Sequence, residues 1–197
     1  MRLNCELIVE VDGKQVYRGA LKSFLKNFGL YLAGMMKNNG DTSTHKYVTV
    51  TGLDGSPANA LVEICVAYPS GPLVFGAGDN DDSYGILVGS GSTPVSPSDY
   101  ALASKIPHGT GPGQLDYDTH TVVSSYSSTS SYVEIYRTFV NKSGSDVVVR
   151  EVGLVARSYA KDVADVKFLV ARDVLPSPIT VKPLGSLTVK YRISLSM

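Results

Sequence analysis

A strict two-residue alternation near the carboxy terminus constrains the fold more than any other feature of this sequence. Apolar residues occupy every odd position from Leu187 to Leu195, and polar residues occupy the even positions from Ser186 to Ser194. Side chains two residues apart lie on the same face of a β-strand, so this run predicts a strand with one buried face. The amino terminus repeats the pattern over residues 3–11, and Asp12-Gly13 then predicts a hairpin turn.

Six further runs have the composition and the length of strands, and turn residues separate them. They lie at residues 47–51, 60–67, 85–88, 132–140, 147–156 and 168–174. The runs at 132–140 and 147–156 flank an Asn-Lys-Ser-Gly stretch, which predicts a second hairpin. We therefore predict a mostly β fold, with a single domain over residues 1–197 that is an antiparallel β-sandwich of jelly-roll-like type.

One amphipathic helix is predicted near the amino terminus, over residues 21–37. Apolar side chains recur there at steps of three and four residues, which places them on one stripe. The stripe consists of Leu21, Phe24, Leu25, Phe28, Leu32, Met35 and Met36. We expect it to pack on a sheet, because lysines at positions 22, 26 and 37 make too weak a basic face for a helix that binds a membrane surface. The preceding hairpin and this helix form a strand–hairpin–helix unit over residues 3–37.

Residues 89–131 are rich in Gly, Ser and Pro and predict a long loop region. Its tyrosines fit subunit contacts and packing at a sheet edge equally well. We predict that residues of this loop and of the helix contact other subunits. The candidates are Pro94, Pro97, Asp99 and Tyr100 in the loop, and Phe24 and Phe28 in the helix.

No pattern in the sequence predicts catalysis, a cofactor or a metal site. The three histidines, at positions 45, 108 and 120, are isolated, whereas zinc sites need clustered ligands. Asp79, Asp81 and Asp82 have the oxygen-rich character of a calcium loop, but Ser90 stands where the bidentate Glu is required, so a solvated turn is favoured. A serine hydrolase of the elbow type is disfavoured because the G-x-S-x-G motif is missing. We therefore predict a non-enzymatic protein.

The charge balance favours proteins or small ligands as partners. The chain contains 18 Lys and Arg against 18 Asp and Glu, so its formal net charge is zero. A neutral chain has no global field that attracts nucleic acid or an anionic membrane. No apolar run approaches the roughly 20 residues that span a bilayer. We expect no nucleic acid and no membrane among its partners, and synthesis in the cytoplasm.

Three segments carry motifs that resemble a known group of proteins. Residues 85–106 read GILVGSGSTPVSPSDYALASKI, residues 148–158 read VVREVGLVARS, and residues 169–196 contain A-R-D-x-L and P-x-G-S-L-T-V. Together they resemble virion structural proteins of tailed phages and related prokaryotic viruses, a group of β-sandwich capsid-decoration, connector and tail-type proteins. The resemblance implies a virion subunit that is made in the host cytoplasm and assembles with itself and with other virion proteins.

An alternative from a different class is a carbohydrate- or receptor-binding β-sandwich module of a fibre. Sandwiches with tyrosine-rich loops hold sugars against aromatic faces. The chain contains 12 Tyr but no Trp, and the absence of Trp disfavours this interpretation. The motifs do not distinguish a position in the capsid, the connector or the tail.

Overall fold

The structure is a computed structural model that describes residues 2–21, 23–37, 47–62, 73–159 and 165–196. These residues form eleven strands and one helix, and all pairings between strands are antiparallel, so the fold is mostly β. The elements are β1 (Arg2–Val11), β2 (Lys14–Ala20), α1 (Lys26–Lys37), β3 (Tyr47–Thr51), β4 (Pro57–Leu61), β5 (Gly85–Gly89), β6 (Asp116–Tyr117), β7 (Thr121–Tyr126), β8 (Ser130–Val140), β9 (Val147–Ser158), β10 (Val166–Val181) and β11 (Ser186–Ser196).

Six strands form the larger sheet, in the order β2-β1-β11-β8-β6, and β7 also pairs with β8. The two alternating runs of the sequence are neighbours in it as β1 and β11. Val9 lies opposite Val189 in this pair, and both side chains are fully buried. The predicted hairpin between β1 and β2 is confirmed, because Asp12 and Gly13 have φ values of 49° and 75°, the left-handed conformations that a two-residue hairpin turn requires.

A three-stranded sheet, β10-β9-β5, supplies the other half of the main core. One hydrophobic cluster contains Phe139 and Leu187 from the larger sheet and Ile86, Val152 and Leu169 from the smaller one. Every residue of β9 from position 151 to 156 is buried. Because successive side chains of a strand point to opposite faces, the smaller sheet is covered on both of its faces.

α1 and the β3–β4 pair cover part of the face of the smaller sheet that points away from the main core. A second hydrophobic cluster forms there, in which the ring of Tyr31 stacks on Phe168 with centroids 5.5 Å apart. The Tyr31 hydroxyl donates to the carbonyl of Leu61 at 2.5 Å. The Asn27 side chain donates to the Thr51 carbonyl and accepts the Thr51 N–H, both at 2.9 Å. These polar contacts hold the helix in one rotation about its axis.

The predicted helix needs a correction at its start. It begins at Lys26 rather than at residue 21, because the residues before it pair with the edge of β10. The Arg172 N–H donates to the Ser23 carbonyl at 3.3 Å, and the Leu25 N–H donates to the Val170 carbonyl at 2.9 Å. Backbone groups that are bonded to a strand edge are not available for a helical turn.

A second correction concerns the buried face of α1. Asn27 and Tyr31 face the interior, whereas Leu32, Met35 and Met36 of the predicted stripe are exposed. The backbone groups that Asn27 and Tyr31 bind lie on the inner side, and these contacts outweigh the apolar periodicity. As a result, the helix presents an apolar face to solvent.

The predicted hairpin over residues 132–156 is wrong. β8 pairs with β11, β6 and β7 in the larger sheet, whereas β9 pairs with β10 and β5 in the smaller one, so the chain crosses between sheets. Asn141 is fully buried at this crossing. Its amide donates to the carbonyls of Ser145 and Val181 at 2.9 and 2.8 Å, and its oxygen accepts the Ser143 N–H at 3.0 Å. The turn residues are present, but they redirect the chain to the other sheet.

The loop region predicted at 89–131 also needs correction, since it contains β6, β7 and the start of β8. Most of β7 is exposed. Apolar and polar residues therefore do not alternate in these strands, and the sequence pattern does not predict them. β10 continues to Val181 rather than ending at 174, with a register irregularity that accommodates Pro176 and Pro178. β4 begins at Pro57, earlier than the run at 60–67, and residues 63–67 of that prediction lie outside the described residues.

Candidate interaction surface

A buried ion pair joins β10 and β9 on the face of the smaller sheet that points away from the main core. Arg172 Nε lies 2.7 Å from Glu151 Oε2, and the two residues are 1% and 0% exposed. The register explains their proximity, because Val174 lies opposite Glu151 and Arg172 is two positions along the same face. Burial disfavours the charged guanidinium, but hydrogen bonds with Glu151 and Asp99 raise the pKa of Arg172 above its ordinary value.

The Glu151 carboxylate holds both ends of the loop at residues 90–105, which we call the strap. It accepts the backbone N–H groups of Gly91 and Ala103 at 3.1 Å and that of Ser104 at 2.7 Å. A Cβ at position 91 would lie 2.4 Å from Glu151 Oε1, so only glycine permits this approach. With the contact to Arg172, the buried carboxylate has four hydrogen-bond donors.

The Arg172 guanidinium holds the middle of the strap. It donates to the Asp99 carboxylate at 2.7 Å and to the Thr93 carbonyl at 2.9 Å. The strap in turn contacts the start of α1, because the Lys26 N–H donates to the Pro97 carbonyl at 3.0 Å. This contact satisfies one of the N–H groups that a helix leaves unpaired at its first turn. The ion pair, the strap and the helix therefore form one connected unit.

The strap and the next residue, Ile106, also protect the edge of β5, where Lys105 forms an isolated bridge with Gly89. The Ile106 N–H donates to the Val88 carbonyl at 2.9 Å, and the Ser90 N–H donates to the Ser104 carbonyl at 2.8 Å. Exposed strand edges are prone to pairing with other chains, and a covering loop is one of the ways in which proteins prevent it. The strap is thus an ordered part of the fold.

The four candidate residues of the strap have different environments. Asp99 is bound to Arg172, and Pro97 gives its carbonyl to α1 while its side chain is exposed. Pro94 is exposed, and Tyr100 is 44% exposed with its ring beside Gly55. Their role as subunit contacts stays a prediction.

The other two candidates, Phe24 and Phe28, line an open apolar groove. Their rings stack with centroids 4.4 Å apart. Together with Val133 and Ile193 of the larger sheet they border a cavity of about 130 Å³. Val133 and Ile193 lie opposite each other in β8 and β11 and are 41% and 43% exposed. The inner face of the larger sheet is therefore partly exposed at Val133 and Ile193.

The exposed side of α1 is the second apolar surface, which we call the α1 outer face. It consists of Leu32, Met35 and Met36, which lie within about 100° of one another around the helix axis, and the last of these is 80% exposed. No charged residue occurs in the sequence between Lys26 and Lys37. Surface helices ordinarily carry charged and polar residues on this side. The α1 outer face therefore carries apolar side chains at positions that contact water, where charged side chains would be better solvated.

The outer face of the larger sheet differs, because its charges are paired within the chain. Arg18 binds Glu6 at 2.8 Å, and Arg192 binds Glu134 at 2.6 Å. In register, Arg192 lies opposite both Glu6 and Glu134, so charges of opposite sign alternate across four strands. The hydrogen bond from Arg18 lowers the pKa of Glu6. This pattern is typical of a solvated face.

A second buried arginine, Arg137 of β8, binds the backbone of two loops. Its guanidinium donates to the carbonyls of Gly78, Asp81 and Asp118 at 3.0, 2.8 and 2.6 Å. It also lies 4.7 Å from the centre of the Tyr117 ring. Arg137 is 0% exposed, and burial lowers its pKa. Within the described ranges its hydrogen bonds go to backbone carbonyls and none goes to a carboxylate.

His120 lies next to Arg137 and shares a partner with it. His120 Nε2 accepts the Ile86 N–H at 2.6 Å, and Arg137 donates to the Ile86 carbonyl at 3.4 Å. Burial and then the positive charge of Arg137 lower the pKa of His120 to about 3. His120 is therefore neutral at pH 7.

The acidic loop before β5 uses its carboxylates in contacts within the chain. Asp81 accepts the Ser83 N–H at 2.9 Å. Asp82 accepts the His108 N–H at 2.8 Å and pairs with Lys105 at 3.1 Å. No group of three His, Cys, Asp or Glu in the part of the chain that the structure describes is placed to hold a metal ion.

Arg137, Arg172 and His120 were not among the residues predicted from the sequence to be important. For Arg137 a signal exists, because it shares the odd positions of β8 with Ile135 and Phe139, which belong to the main core. Arg172 lies within one of the motifs quoted above. No sequence signal identifies His120, since its partner is a backbone N–H that is remote in the chain.

Comparison with protein-family models, with curated proteins and with solved structures finds no match to this chain. The class that the structure itself defines is a mostly β protein of antiparallel sheets, with one helix among the described residues. No helix of the described residues is long and apolar enough to span a bilayer. The surfaces described above are therefore the basis for a functional proposal.

Proposed function

We propose that this protein is a non-enzymatic structural subunit of a virus particle of the tailed-phage type. In this proposal it assembles with copies of itself and with other virion proteins at the capsid surface, the head-to-tail connector or the tail. The observation that carries the proposal is the α1 outer face, an apolar helix surface that the described residues of the chain leave exposed.

Exposing this apolar surface to water costs free energy, and a neighbouring subunit that covers it removes that cost. Contiguous exposed apolar patches on folded proteins mark interaction sites. Leu32, Met35 and Met36 are 44%, 40% and 80% exposed. Full burial of one side chain of this size contributes about 1.5–3 kcal/mol, so a neighbouring copy that covers the α1 outer face gains a substantial part of its binding free energy there. The apolar groove beside Phe24 and Phe28 offers further area for a neighbouring subunit.

We propose a jelly-roll-like β-sandwich as the fold of the subunit. The main hydrophobic cluster, which contains residues of both larger sheets, supports this fold. The chain also passes directly between these sheets three times, at residues 90–115, 141–146 and 182–185. Sandwiches of this kind occur in viral capsid proteins, which assemble through loops and edges.

The positions of the three resembling segments give further support. Asp99 belongs to the first segment, Glu151 to the second and Arg172 to the third, and they meet in one ion network. Gly153 of the second segment packs against Leu102 of the first, where a Cβ would lie 2.8 Å from Leu102 Cδ2. The motif residues therefore determine how the strap is held, which is a structural role.

The first test is the oligomeric state of the purified full-length chain, measured by mass photometry over a wide concentration range. We expect an oligomer, and we expect the double variant Leu32→Glu/Met36→Glu to shift it towards the monomer. The matched control is Leu184→Glu, which changes an apolar residue that is 85% exposed in the turn before β11. The control should assemble like the unchanged protein.

The second test is mass spectrometry of particles purified from cells that produce this protein. We expect the chain among the particle proteins. A protein that is monomeric at every concentration and is missing from the particles would contradict the proposal. If the unchanged protein assembles but the double variant assembles equally well, the α1 outer face is not the interface.

A further inference from the structure

We propose that His120 makes the loops around Arg137 a pH-sensitive unit, in which acid opens residues 76–86 and 117–120 together while the remaining strands of the six-stranded and three-stranded sheets stay folded. This inference is independent of the proposed function. It rests on the geometry of one buried histidine between a strand start and a buried arginine.

The His120 ring occupies a position where it joins two chain segments. Its Nε2 accepts the Ile86 N–H at 2.6 Å, and its own backbone N–H donates to the Ala77 carbonyl at 3.0 Å. The ring lies against Gly85, where a Cβ would stand 2.2 Å from His120 Cε1. Gly85 has φ of 81°, a conformation that favours glycine as well. The start of β5 is thus shaped around a neutral imidazole.

Protonation changes this contact from attraction to repulsion. A proton on Nε2 turns the acceptor into a donor, which then faces the Ile86 N–H, also a donor. It also places a second positive charge near the buried Arg137 guanidinium. A buried charge without a partner is costly, and in such a site it is relieved by deprotonation or by opening to water.

Neighbouring groups act on His120 in both directions. Arg137 of β8 opposes the imidazolium, whereas Asp81 of the preceding loop and the Ala77 carbonyl favour it, and burial together with Arg137 prevails. The charged groups that face Arg137 itself are Asp81, Asp82 and Asp118, and the phenol of Tyr117 lies beside it.

The opening involves several segments because Arg137 links them. Arg137 binds the carbonyls of Gly78, Asp81 and Asp118, and it also binds the carbonyl of Ile86, whose N–H is bonded to His120. Displacement of Ile86 therefore disturbs the two side chains that hold this unit. Local opening of a few linked segments below the global unfolding limit is common in folded proteins.

The direction and size of the effect follow from linkage. The pKa of His120 is about 3 in the closed state, and it returns to the ordinary 6.5 once the ring is solvated. The open state therefore binds the proton more tightly, and the closed state loses stability as the pH falls below 6.5. Between pH 7 and pH 5 the opening constant should rise about 25-fold. Burial raises the pKa values of Asp81 and Asp82, but their hydrogen bonds and nearby positive charges outweigh it and leave both values lowered, so these carboxylates stay ionised in this window.

The test is hydrogen exchange of the full chain at pH 7, 6 and 5, followed by mass spectrometry and corrected for the intrinsic pH dependence of exchange. We expect the opening constant of peptides that cover 76–86 and 117–120 to rise about 25-fold. Peptides from β11 should not change. In the His120→Gln variant the side-chain oxygen can still accept the Ile86 N–H but does not titrate, so the pH dependence should disappear. The matched control is His108→Gln, because His108 Nδ1 accepts the Tyr117 N–H at 3.3 Å and a glutamine oxygen can also accept there. This variant keeps His120 and should therefore keep the pH dependence.

Three outcomes would overturn the proposal. One is the same pH dependence in His120→Gln as in the unchanged protein. Another is opening of 76–86 without 117–120. The third comes from an NMR titration of the imidazole nitrogens in the unchanged protein, which is informative even if the variant fails to fold. There, a midpoint near 6.5 without loss of the Ile86 amide protection would show that the ring accepts a proton in place.

Discussion

Arg172 and Arg137 are both buried, yet different partners stabilise their positive charges. Arg172 binds two carboxylates, Glu151 at 2.7 Å and Asp99 at 2.7 Å. Arg137 binds backbone carbonyls, and a Tyr117 ring lies beside it. The opposing directions of their pKa shifts reflect this difference, because carboxylates raise the pKa of Arg172 while burial lowers that of Arg137.

The difference shows what each site depends on. A carboxylate partner is a particular residue, so the strap depends on the identities of Glu151 and Asp99. A carbonyl is supplied by any residue, so the loops around Arg137 depend on backbone conformation and on His120 remaining neutral. The strap site should therefore respond most to substitution, and the Arg137 site most to pH.

The largest expected effect is that of Arg172→Met. The change leaves the Glu151 carboxylate buried without its charge partner, and breaking a buried pair from one side costs about 3–5 kcal/mol. We expect the free energy of unfolding to fall by this amount, measured by urea denaturation at pH 7. The control is Arg150→Met in the same strand as Glu151, because Arg150 is half-buried and forms no ion pair within the described ranges. It should change stability by less than about 0.5 kcal/mol. Equal losses in both variants would refute the role of the pair.

Arg137→Met should cost less, about 2–3 kcal/mol. The change removes the donor to several backbone carbonyls of the loops. Water can reach some of these carbonyls, and no buried carboxylate is left without a partner. Removal of the positive charge should also raise the pKa of His120, because Arg137 is the second cause of its lowering after burial. Denaturation and an NMR titration of His120 measure the two effects. An unchanged pKa of His120 would mean that burial alone keeps the ring neutral.

The sequence predicted the strands whose apolar residues alternate, but not the polar ones. β1 and β11 each bury one face, so their periodicity is visible, whereas β7 is largely exposed and gives no apolar signal. The rotation of α1 was mispredicted because its decisive contacts, from Asn27 to Thr51 and from Tyr31 to Leu61, involve residues remote in the chain.

Of the candidate site, Asp99 was identified as a residue of interest, but its partner was not. Asp99 and Arg172 are 73 positions apart in the chain, and only the fold brings them together. The apolar groove could be foreseen only in part, through Phe24 and Phe28, because Val133 and Ile193 read as ordinary inward-facing strand residues. The partial exposure of Val133 and Ile193 depends on how far the larger sheet extends past the residues that pack on it.

The stability of the Arg137 site should depend on pH through His120. The folded pKa of His120 lies near 3, below the unfolded value of 6.5, so this residue's contribution is present above pH 6.5 and is lost as the pH falls. Between pH 7 and pH 5 we expect the loss to be about 2 kcal/mol. It is measured as the difference between the unchanged protein and His120→Gln in urea denaturation. If the free energies of unfolding of the two proteins changed in parallel with pH, His120 would make no contribution to the pH dependence of stability.

The smallest expected effect is that of Asp99→Asn, at about 1 kcal/mol. Asparagine keeps an oxygen that can accept from Arg172 and from the Ser96 N–H, so the strap loses charge but little geometry. The Asp99 side chain is 23% exposed, which lets water screen the pair, whereas Glu151 is fully buried. Urea denaturation measures the loss, and hydrogen exchange of residues 90–105 reports whether the strap loosens. A loss as large as that of Arg172→Met would show that Asp99, rather than Glu151, is the main counter-charge of the buried arginine.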